Sequence, residues 1–401
     1  MGRHSKRNAF RKFNSVFVFG VLILMLLNFL RPAKTNTEFQ KNTQDLPEVN
    51  IKNLLSGQFT ENAEKYVNDK FTFRNSFVIF KSKLEYITGK REHNGVYVCD
   101  NNYLIEKPKE YDEELVDANI NAIKNLYGMG GFNVTVSVVP SAYEVLNDYL
   151  PDNVYDDSAL KLSSEIMESF LNTGIVYIDS TKLLKKYKDD YLYYRTDNHL
   201  TSNGSYVVYH DLANTLGFTA LAGEDFKISD VSRSFKGSTY SKALRDVPAD
   251  VLTVYRPLET PRFKVKFPFE NIEVDSMYFP AHLEKEDKYA YFLDGNHALT
   301  VINSPNKNGK SIAIFKDSFA NSIIPFIAYH YETVHIIDLG LFEESVVKYL
   351  DDFSISNILY LYGADGFVSD DSIKRTAVSD DYAAARNAES AAYDLIDALN
   401  Q

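Results

Sequence analysis

The chain has 401 residues, of which 45% are hydrophobic and 24% charged, a composition typical of globular proteins rather than disordered or fibrous ones. Its single cysteine, Cys99, excludes an intramolecular disulfide and a cysteine-based zinc cluster. The formal net charge is −12, yet the first 31 residues hold six basic residues and no acidic one, so the rest of the chain is strongly acidic. Such a body argues against nucleic acid as a partner.

The first predicted element is an apolar run from Val16 to Leu30, preceded by five basic residues. Extended back to Phe13 it covers 18 residues, close to the roughly 20 that a membrane-spanning helix needs. The basic residues predict a cytoplasmic N-terminus and an extracytoplasmic body at the cell membrane. A cleaved signal peptide is the alternative, although no small-x-small cleavage site follows the run. We therefore predict a cytoplasmic tail and signal anchor over residues 1–31 and a polar linker over residues 32–50.

Beyond the linker, residues 95–105 predict a hairpin of two short strands around an Asp-Asn-Asn turn. Helical and strand patterns then alternate along the chain. Helices are predicted over residues 113–127, 160–171 and 202–216, the last one capped by Ser202 or Asn203 and ended by Gly217. Strands are predicted over residues 132–139, 175–179, 311–315, 333–338 and 357–361. This alternation predicts βαβ units and therefore an α/β fold, a three-layer α/β/α sandwich around a parallel sheet.

Residues 219–310 interrupt the alternation. They contain several prolines and many charges, and predict an irregular insertion of loops and short antiparallel strands. Residues 383–399 are rich in alanine, with large apolar side chains on one side, and predict a helix. We therefore place the main domain at residues 51–378 and a C-terminal helix within residues 379–401.

Functional residues in an open parallel sheet gather just past the carboxyl ends of its strands. The strand predicted at residues 311–315 runs directly into Lys316, Asp317 and Ser318, and an apparent helix follows. A serine at this turn lies at a helix N-terminus, where free backbone N–H groups can stabilise an oxyanion. The alternative is that Asp317 or Ser318 only caps the helix. The residues alone leave both interpretations open.

A second candidate is the polar, aromatic loop that contains Asp197 and His199. Two such residues, two positions apart, can present a carboxylate and a general base from one short loop, which is what activating a serine requires. Metal binding is the alternative. No further ligands fall at a recognisable spacing, so we predict no metal site.

A third candidate is the Gly295-Asn296 pair. An ordinary turn explains it, but an asparagine amide near a serine turn could instead donate to an oxyanion. No Gly-rich phosphate loop of the Walker or dinucleotide type is present, and we predict no cofactor.

Together, these segments resemble the DHHW family, relatives of the alginate O-acetyltransferases in the SGNH-hydrolase superfamily. The resemblance extends over residues from about 55 to 365. The motifs that carry it are Tyr66-Val-Asn-Asp69, Phe71-Thr-Phe-Arg74, Gly95-Val-Tyr-Val98, Thr196-Asp-Asn-His-Leu-Thr201 with Gly204, Gly295-Asn-His297, Lys316-Asp-Ser-Phe-Ala-Asn321 with Pro325-Phe326, and His335-Ile-Ile-Asp338.

The resemblance implies an SGNH-hydrolase-like fold with Ser318 as the nucleophile, His199 as the general base and Asp197 as its orienting carboxylate. It also suggests that Asn296 lies near the oxyanion. The Asp-x-His element precedes the serine, which is the permuted order of the alginate-acetylation branch. The eponymous Asp-His-His-Trp motif reads Asp-Asn-His-Leu here, so Asn198 and Leu200 depart from it.

The function expected from this resemblance is O-acetyl transfer to, or acetyl-ester hydrolysis on, an extracellular polysaccharide. Transfer requires an acyl donor outside the cell, and family analogy implies a multi-spanning membrane acyltransferase as the partner that supplies it. The alternatives are a non-catalytic scaffold that binds polysaccharide or assembles a secretion complex, and transfer of another acyl group, such as alanyl, to teichoic acid.

Overall fold

The computed structural model describes residues 74–259 and 262–377, together with residues 18–20, 59 and 62. The predicted linker and C-terminal helix lie outside these residues, as does all but a three-residue piece of the predicted signal anchor. Among the residues described, no helix is both long and apolar enough to cross a membrane. The chain divides into two compact units, one of residues 1–94 with 241–246 and one of residues 95–240 with 247–401.

The described part of the first unit is built around helix α1, Arg74–Ile87. Strand β1, Glu92–His93, follows it. Inside this unit the Lys83 ammonium lies 3.1 Å from the Asp246 carboxylate. The guanidinium of Arg245 lies 4.0 Å from the centroid of the Tyr86 ring. These contacts join the α1 segment to residues 241–246 of the same unit.

The rest of the described chain contains the five strands and three helices predicted above, together with further short elements. The strands are β2 (Val96–Val98), β3 (Leu104–Glu106), β4 (Asn133–Val139), β5 (Val176–Ile178), β6 (Phe226–Phe235), β7 (Asp250–Pro257), β8 (Lys264–Phe267), β9 (Ile272–Val274), β10 (Leu299–Asn303), β11 (Ser311–Lys316), β12 (Thr333–Ile337) and β13 (Asn357–Gly363). The helices are α2 (Glu113–Gly128), α3 (Ala142–Val145), α4 (Ser158–Phe170), α5 (Thr181–Lys186), α6 (Ser202–Ala213), α7 (Ser238–Ala243), α8 (Ile324–Ala328), α9 (Val346–Asp352) and α10 (Ala364–Ser369).

The central sheet has eight strands in the order β5-β4-β13-β11-β12-β10-β8-β9. The first five are parallel to one another, and they are the strands predicted from the sequence. The last three, β10, β8 and β9, are antiparallel, so the sheet is mixed rather than purely parallel. They come from residues 219–310, which also form the separate antiparallel pair β6–β7. The predicted hairpin is the antiparallel pair β2–β3.

Side chains of the parallel strands alternate between two hydrophobic clusters, one on each face of the sheet. On β11, Ile312 and Ile314 belong to the first cluster, whereas Ala313 and Phe315 belong to the second. Residues of α3, α5, α6 and α8 join the first cluster, and residues of α2, α4, α9 and α10 join the second. The predicted arrangement of helices on both faces of the sheet is therefore confirmed.

The carboxyl ends of β11, β12 and β13 lie at one edge of the sheet because these strands are parallel. A short turn of 3-10 helix, Ser318–Ser322, follows β11 with only Asp317 between them. The loop of residues 193–200 is closed by an isolated bridge between Tyr193 and Leu200, and it leads into α6. These two connections carry the polar residues that the sequence singles out.

Candidate active site

Asp317, not Ser318, caps the turn that follows β11. Its Oδ1 accepts a hydrogen bond from the Phe319 N–H at 2.9 Å. The same carboxylate accepts from the Gly363 N–H, at the end of β13, with distances of 3.3 Å to Oδ1 and 3.1 Å to Oδ2. A Cβ added at Gly366 would collide with this carboxylate, so backbone packs closely against it. Burial raises the pKa of Asp317 to about 6 despite these hydrogen bonds.

Ser318, His199 and Asp197 form one hydrogen-bonded line. The Ser318 Oγ lies 2.9 Å from His199 Nε2. On the other side of the imidazole, Nδ1 lies 2.5 Å from Asp197 Oδ1. This is the relation of nucleophile, base and orienting carboxylate that serine esterases require. The structure thus brings together three residues that the sequence analysis selected from two distant segments.

Asp197 is fully enclosed and remains ionised. It is 4% exposed, and its Oδ2 accepts from the Ser238 N–H at 2.7 Å while Oδ1 also accepts from the His199 N–H at 3.0 Å. Burial raises the pKa of this carboxyl, but the His199 ring and these hydrogen bonds outweigh it and lower the pKa to about 2. An ionised Asp197 favours the proton on Nδ1, which leaves the Nε2 lone pair directed at the serine hydroxyl.

Asp250, which no sequence motif predicts, anchors the loop that presents Asp197 and His199. Its Oδ2 accepts from the Thr196 N–H at 2.8 Å and from the Thr196 hydroxyl at 2.5 Å. Its Oδ1 accepts from the Tyr191 hydroxyl at 2.5 Å and from the Arg195 N–H at 3.1 Å. No local signal marks Asp250, because its partners lie in a loop distant along the chain.

The start of α6 holds the loop from its other end. Thr201 is the cap, and its Oγ1 accepts from the Gly204 N–H at 3.2 Å. The predicted caps, Ser202 and Asn203, are therefore wrong by one or two residues, because the helix begins at Ser202 itself. A Cβ at Gly204 would collide with the Leu192 carbonyl oxygen, which explains why glycine occupies this position.

Tyr289 forms a wall beside the imidazole, and it too was missed from sequence. Its ring stacks on His199 with the centroids 3.8 Å apart and the planes inclined by 12°. The Tyr289 hydroxyl lies 3.0 Å from the Ser322 Oγ and 3.3 Å from the Phe319 carbonyl oxygen. The stacked ring is therefore tied to the serine turn and restricts rotation of the imidazole.

Asn296 reaches the serine turn through other residues rather than through the Ser318 hydroxyl. Its Oδ1 accepts from Lys316 Nζ at 2.7 Å and from Asn321 Nδ2 at 2.9 Å. Asn296 is exposed to solvent, whereas both of its partners are buried.

Two backbone N–H groups of the serine turn already have acceptors. The Phe319 N–H donates to the Asp317 carboxylate that caps the turn, and the Ala320 N–H points at the Asp317 carbonyl oxygen at 3.4 Å.

Within residues 74–259 and 262–377, no group of three or more His, Cys, Asp or Glu side chains is placed to hold a metal ion.

The two residues that depart from the Asp-His-His-Trp motif have structural partners. The Asn198 Oδ1 accepts from the Ser238 hydroxyl at 3.0 Å. Leu200 is completely buried in the first core cluster. A Cβ at Gly237, next to Ser238, would collide with the Asp197 carboxylate.

A family model described as DHHW protein matches residues 95–337, which include the whole constellation. The chain belongs to the DHHW family. Among solved structures, this DHHW protein is similar to a DHHW family protein from Eubacterium siraeum, with 20% identity and a TM-score of 0.59 over 71% of this chain and 95% of that one. It is also similar to Bacillus cereus PatB1 with a sulfonyl adduct, with 19% identity and a TM-score of 0.57 over 68% and 96%.

A third solved structure is the O-acetyltransferase domain of Pseudomonas putida AlgJ, with 14% identity and a TM-score of 0.42 over 72% of this chain and 97% of that one. None of the curated protein sequences compared with the chain matches it significantly. The first two likenesses support a shared mixed α/β fold with a largely parallel central sheet.

Proposed function

We propose that this DHHW protein is an extracytoplasmic O-acetyltransferase or acetylesterase that acts on a cell-surface or exopolysaccharide through an acyl-enzyme on Ser318. The observation that carries the proposal is the line of hydrogen bonds from Asp197 through His199 to the Ser318 hydroxyl. Membership of the DHHW family supports it, and so does a fold like that of the SGNH hydrolases.

In the first half-reaction, the Ser318 Oγ attacks the carbonyl carbon of an acetyl ester while His199 Nε2 takes the hydroxyl proton. Asp197 stabilises the resulting imidazolium through Nδ1. The tetrahedral intermediate then expels the donor alcohol, which receives the proton from Nε2. In the second half-reaction, a sugar hydroxyl (transfer) or water (hydrolysis) loses its proton to Nε2 and attacks the acetyl-serine. The acyl–oxygen bond to Ser318 then breaks, and Nε2 returns the proton to the Ser318 Oγ.

The tetrahedral oxyanion needs hydrogen-bond donors, each of which contributes several kcal/mol in water-excluded sites. With the Phe319 N–H committed to the cap, the donors that we assign are the Ser318 N–H and the Asn296 side-chain amide. The Ser318 N–H donates to no acceptor in the described part of the chain.

The cellular setting of the proposal rests on residues outside those described. The apolar run preceded by basic residues would anchor the protein in the cell membrane with its body outside. A multi-spanning membrane acyltransferase would deliver the acetyl group, and the polysaccharide would be the acceptor.

A non-catalytic scaffold that retains the SGNH fold is the competing function, favoured by Asn198 and Leu200 in place of the family's residues. Asn198 nevertheless accepts a hydrogen bond, and Leu200 is buried in the core. Neither change removes Asp197, His199 or Ser318 from the hydrogen-bonded line. Acetylation of the surface polymer in cells that carry only Ser318→Ala separates the two functions: loss supports catalysis, and normal acetylation supports the scaffold.

In vitro, the test is release of acetate from a chromogenic acetyl ester, together with covalent labelling by a sulfonyl fluoride. We expect Ser318→Ala and His199→Ala to lose activity, and labelling to occur on Ser318. Ser234→Ala, which changes an exposed serine, is the matched control and should behave like the wild type. If wild type and Ser318→Ala hydrolyse the ester at the same rate, the proposal is refuted.

A further inference from the structure

A buried lysine lies directly before the serine turn. Lys316 is 2% exposed and is the last residue of β11. Its nearest carboxylate partner is Asp338, with Nζ 3.7 Å from Oδ2, a separation longer than a hydrogen bond. Burial lowers the pKa of Lys316 to about 8, although Asp338 and Asp317 oppose this. An ammonium group in such a place costs stability, so its presence points to a role other than stabilising the fold.

The short contact of Lys316 is to Asn296, and it fixes which way that amide faces. A lysine ammonium can only donate, so the atom 2.7 Å from Nζ is the amide oxygen. Asn321 agrees with this assignment. Its Nδ2 donates to the Gly295 carbonyl oxygen at 3.2 Å and also to the Asn296 oxygen at 2.9 Å. With two donors on its oxygen, Asn296 must present its NH2 group on the opposite side.

The backbone that carries Asn296 is strained. Leu293, Asp294 and Gly295 are three consecutive residues with positive φ, of 60°, 62° and 86°. The left-handed region is unfavourable for a non-glycine residue and persists only where surrounding structure imposes it. Here Leu293 is buried, and the Asp294 carboxylate lies 2.5 Å from His282 Nε2. Such strain is typical of segments that hold a side chain for function.

We propose that Lys316 is a positioning residue that locks the Asn296 amide with its NH2 group directed at the oxyanion of the acetyl-transfer reaction. This inference rests on the proposed function and deepens it. Lys316 acts through Asn296 and does not touch the reacting atoms. Asn321 shares the task as the second donor. The side chains of Lys316 and Asn321 are buried, whereas Asn296 itself is open to solvent.

The test is a double-mutant cycle with the chromogenic acetyl ester. We expect Asn296→Ala to lower kcat about 100-fold or more, as expected when one oxyanion donor is lost. Lys316→Met removes the donor at similar length and should lower kcat about tenfold or more while KM stays within about twofold. The double variant should match Asn296→Ala alone, because Lys316 has nothing left to position. If the two substitutions lower kcat multiplicatively in the double variant, or if Lys316→Met keeps the wild-type kcat, the inference is overturned.

Asn296→Asp tests the orientation even if Lys316→Met folds poorly. The aspartate keeps an oxygen for Lys316 and Asn321 but replaces the NH2 group with a second acceptor. We expect a urea midpoint at least as high as that of the wild type and a kcat as low as that of Asn296→Ala. Near-normal activity in Asn296→Asp would contradict the assigned orientation.

Failure of this inference is distinguishable from failure of the proposed function. If Ser318→Ala hydrolyses the ester as well as the wild type, the function itself is refuted, and the inference with it. If Ser318→Ala is inactive while Lys316→Met is fully active, only the role of Lys316 is refuted.

Discussion

Asp250→Asn is the substitution that tests how the His199 loop is held. The Asp250 carboxylate accepts from two hydroxyls, those of Tyr191 and Thr196, and from two backbone N–H groups, those of Arg195 and Thr196. Each carboxylate oxygen serves one hydroxyl and one N–H. In the asparagine, one oxygen becomes an NH2 group. A hydroxyl can rotate and accept from it, but a backbone N–H cannot, so either orientation of the amide leaves one N–H without an acceptor.

The size of the effect follows from this count. A hydrogen bond to a charged group contributes about 1.5–3 kcal/mol, and a buried donor left unpaired costs about 1–3 kcal/mol. Asp250 is 2% exposed, so water does not take over the lost acceptor. We expect the free energy of unfolding to fall by about 3 kcal/mol. Because Asp197 and His199 follow Thr196 closely, a shift of about 1 Å in the loop should also lower kcat about 100-fold.

Urea denaturation followed by tyrosine fluorescence is suitable, since the chain has 28 Tyr and no Trp, and hydrolysis of the acetyl ester gives kcat. Asp230→Asn is the control, because Asp230 is exposed and its main partner is the surface residue Arg233. It should change stability by no more than about 0.5 kcal/mol. If Asp250→Asn changes the free energy of unfolding no more than this control does and keeps the wild-type kcat, the assigned role of Asp250 is wrong.

Two further predictions concern titratable groups. The pKa of Asp317 is raised from 3.8 to about 6 by burial, so its contribution to stability is complete below about pH 4 and is lost as the pH rises through 6. In Asp317→Asn this loss should disappear, since the amide oxygen can still accept from the backbone, and urea midpoints at about pH 5 and pH 8 measure it. Burial raises the pKa of the Cys99 thiol to about 12, so a thiol reagent should label the protein only after unfolding.

The controls for these two predictions are internal. For Asp317→Asn, equal pH dependence in wild type and variant would contradict the assignment to this carboxyl. For Cys99, complete labelling of the folded protein within minutes would show that the thiol is not enclosed as the structure has it.

The sequence predicts most of the sheet because the relevant strands are buried on both faces. β4, β11, β12 and β13 are short, mostly apolar runs rich in β-branched or aromatic residues, and such runs need no alternation to be recognised. β8, by contrast, is the four residues Lys264–Phe267, which alternate charged and apolar side chains. Its pairing with β10 depends on tertiary contacts, which leave no longer pattern in the sequence. The three antiparallel strands of the eight-stranded sheet are therefore predicted only as part of an irregular insertion.

The residues of the site also fall into those that local sequence predicts and those that only long-range contacts reveal. Asp197 and His199 are two residues apart, and Ser318 follows a strand, so local spacing was enough to select them. His199 and Ser318 themselves are 119 positions apart, and only the fold brings them into contact. Asp250 and Tyr289 act on the site wholly through such long-range contacts, and their own neighbours in sequence carry no motif. That is the physical reason why both escaped the sequence analysis.

Three glycines around the site limit which substitutions the protein can accept. At Gly204, Gly237 and Gly366 a single methyl group would strike the backbone or a carboxylate of the site. Alanine at any of these three positions would force the backbone or one of these carboxylates to shift. The geometry around Asp197, Ser318 and His199 therefore depends on residues without a side chain, and a mutational scan should find these glycines as intolerant of substitution as Ser318.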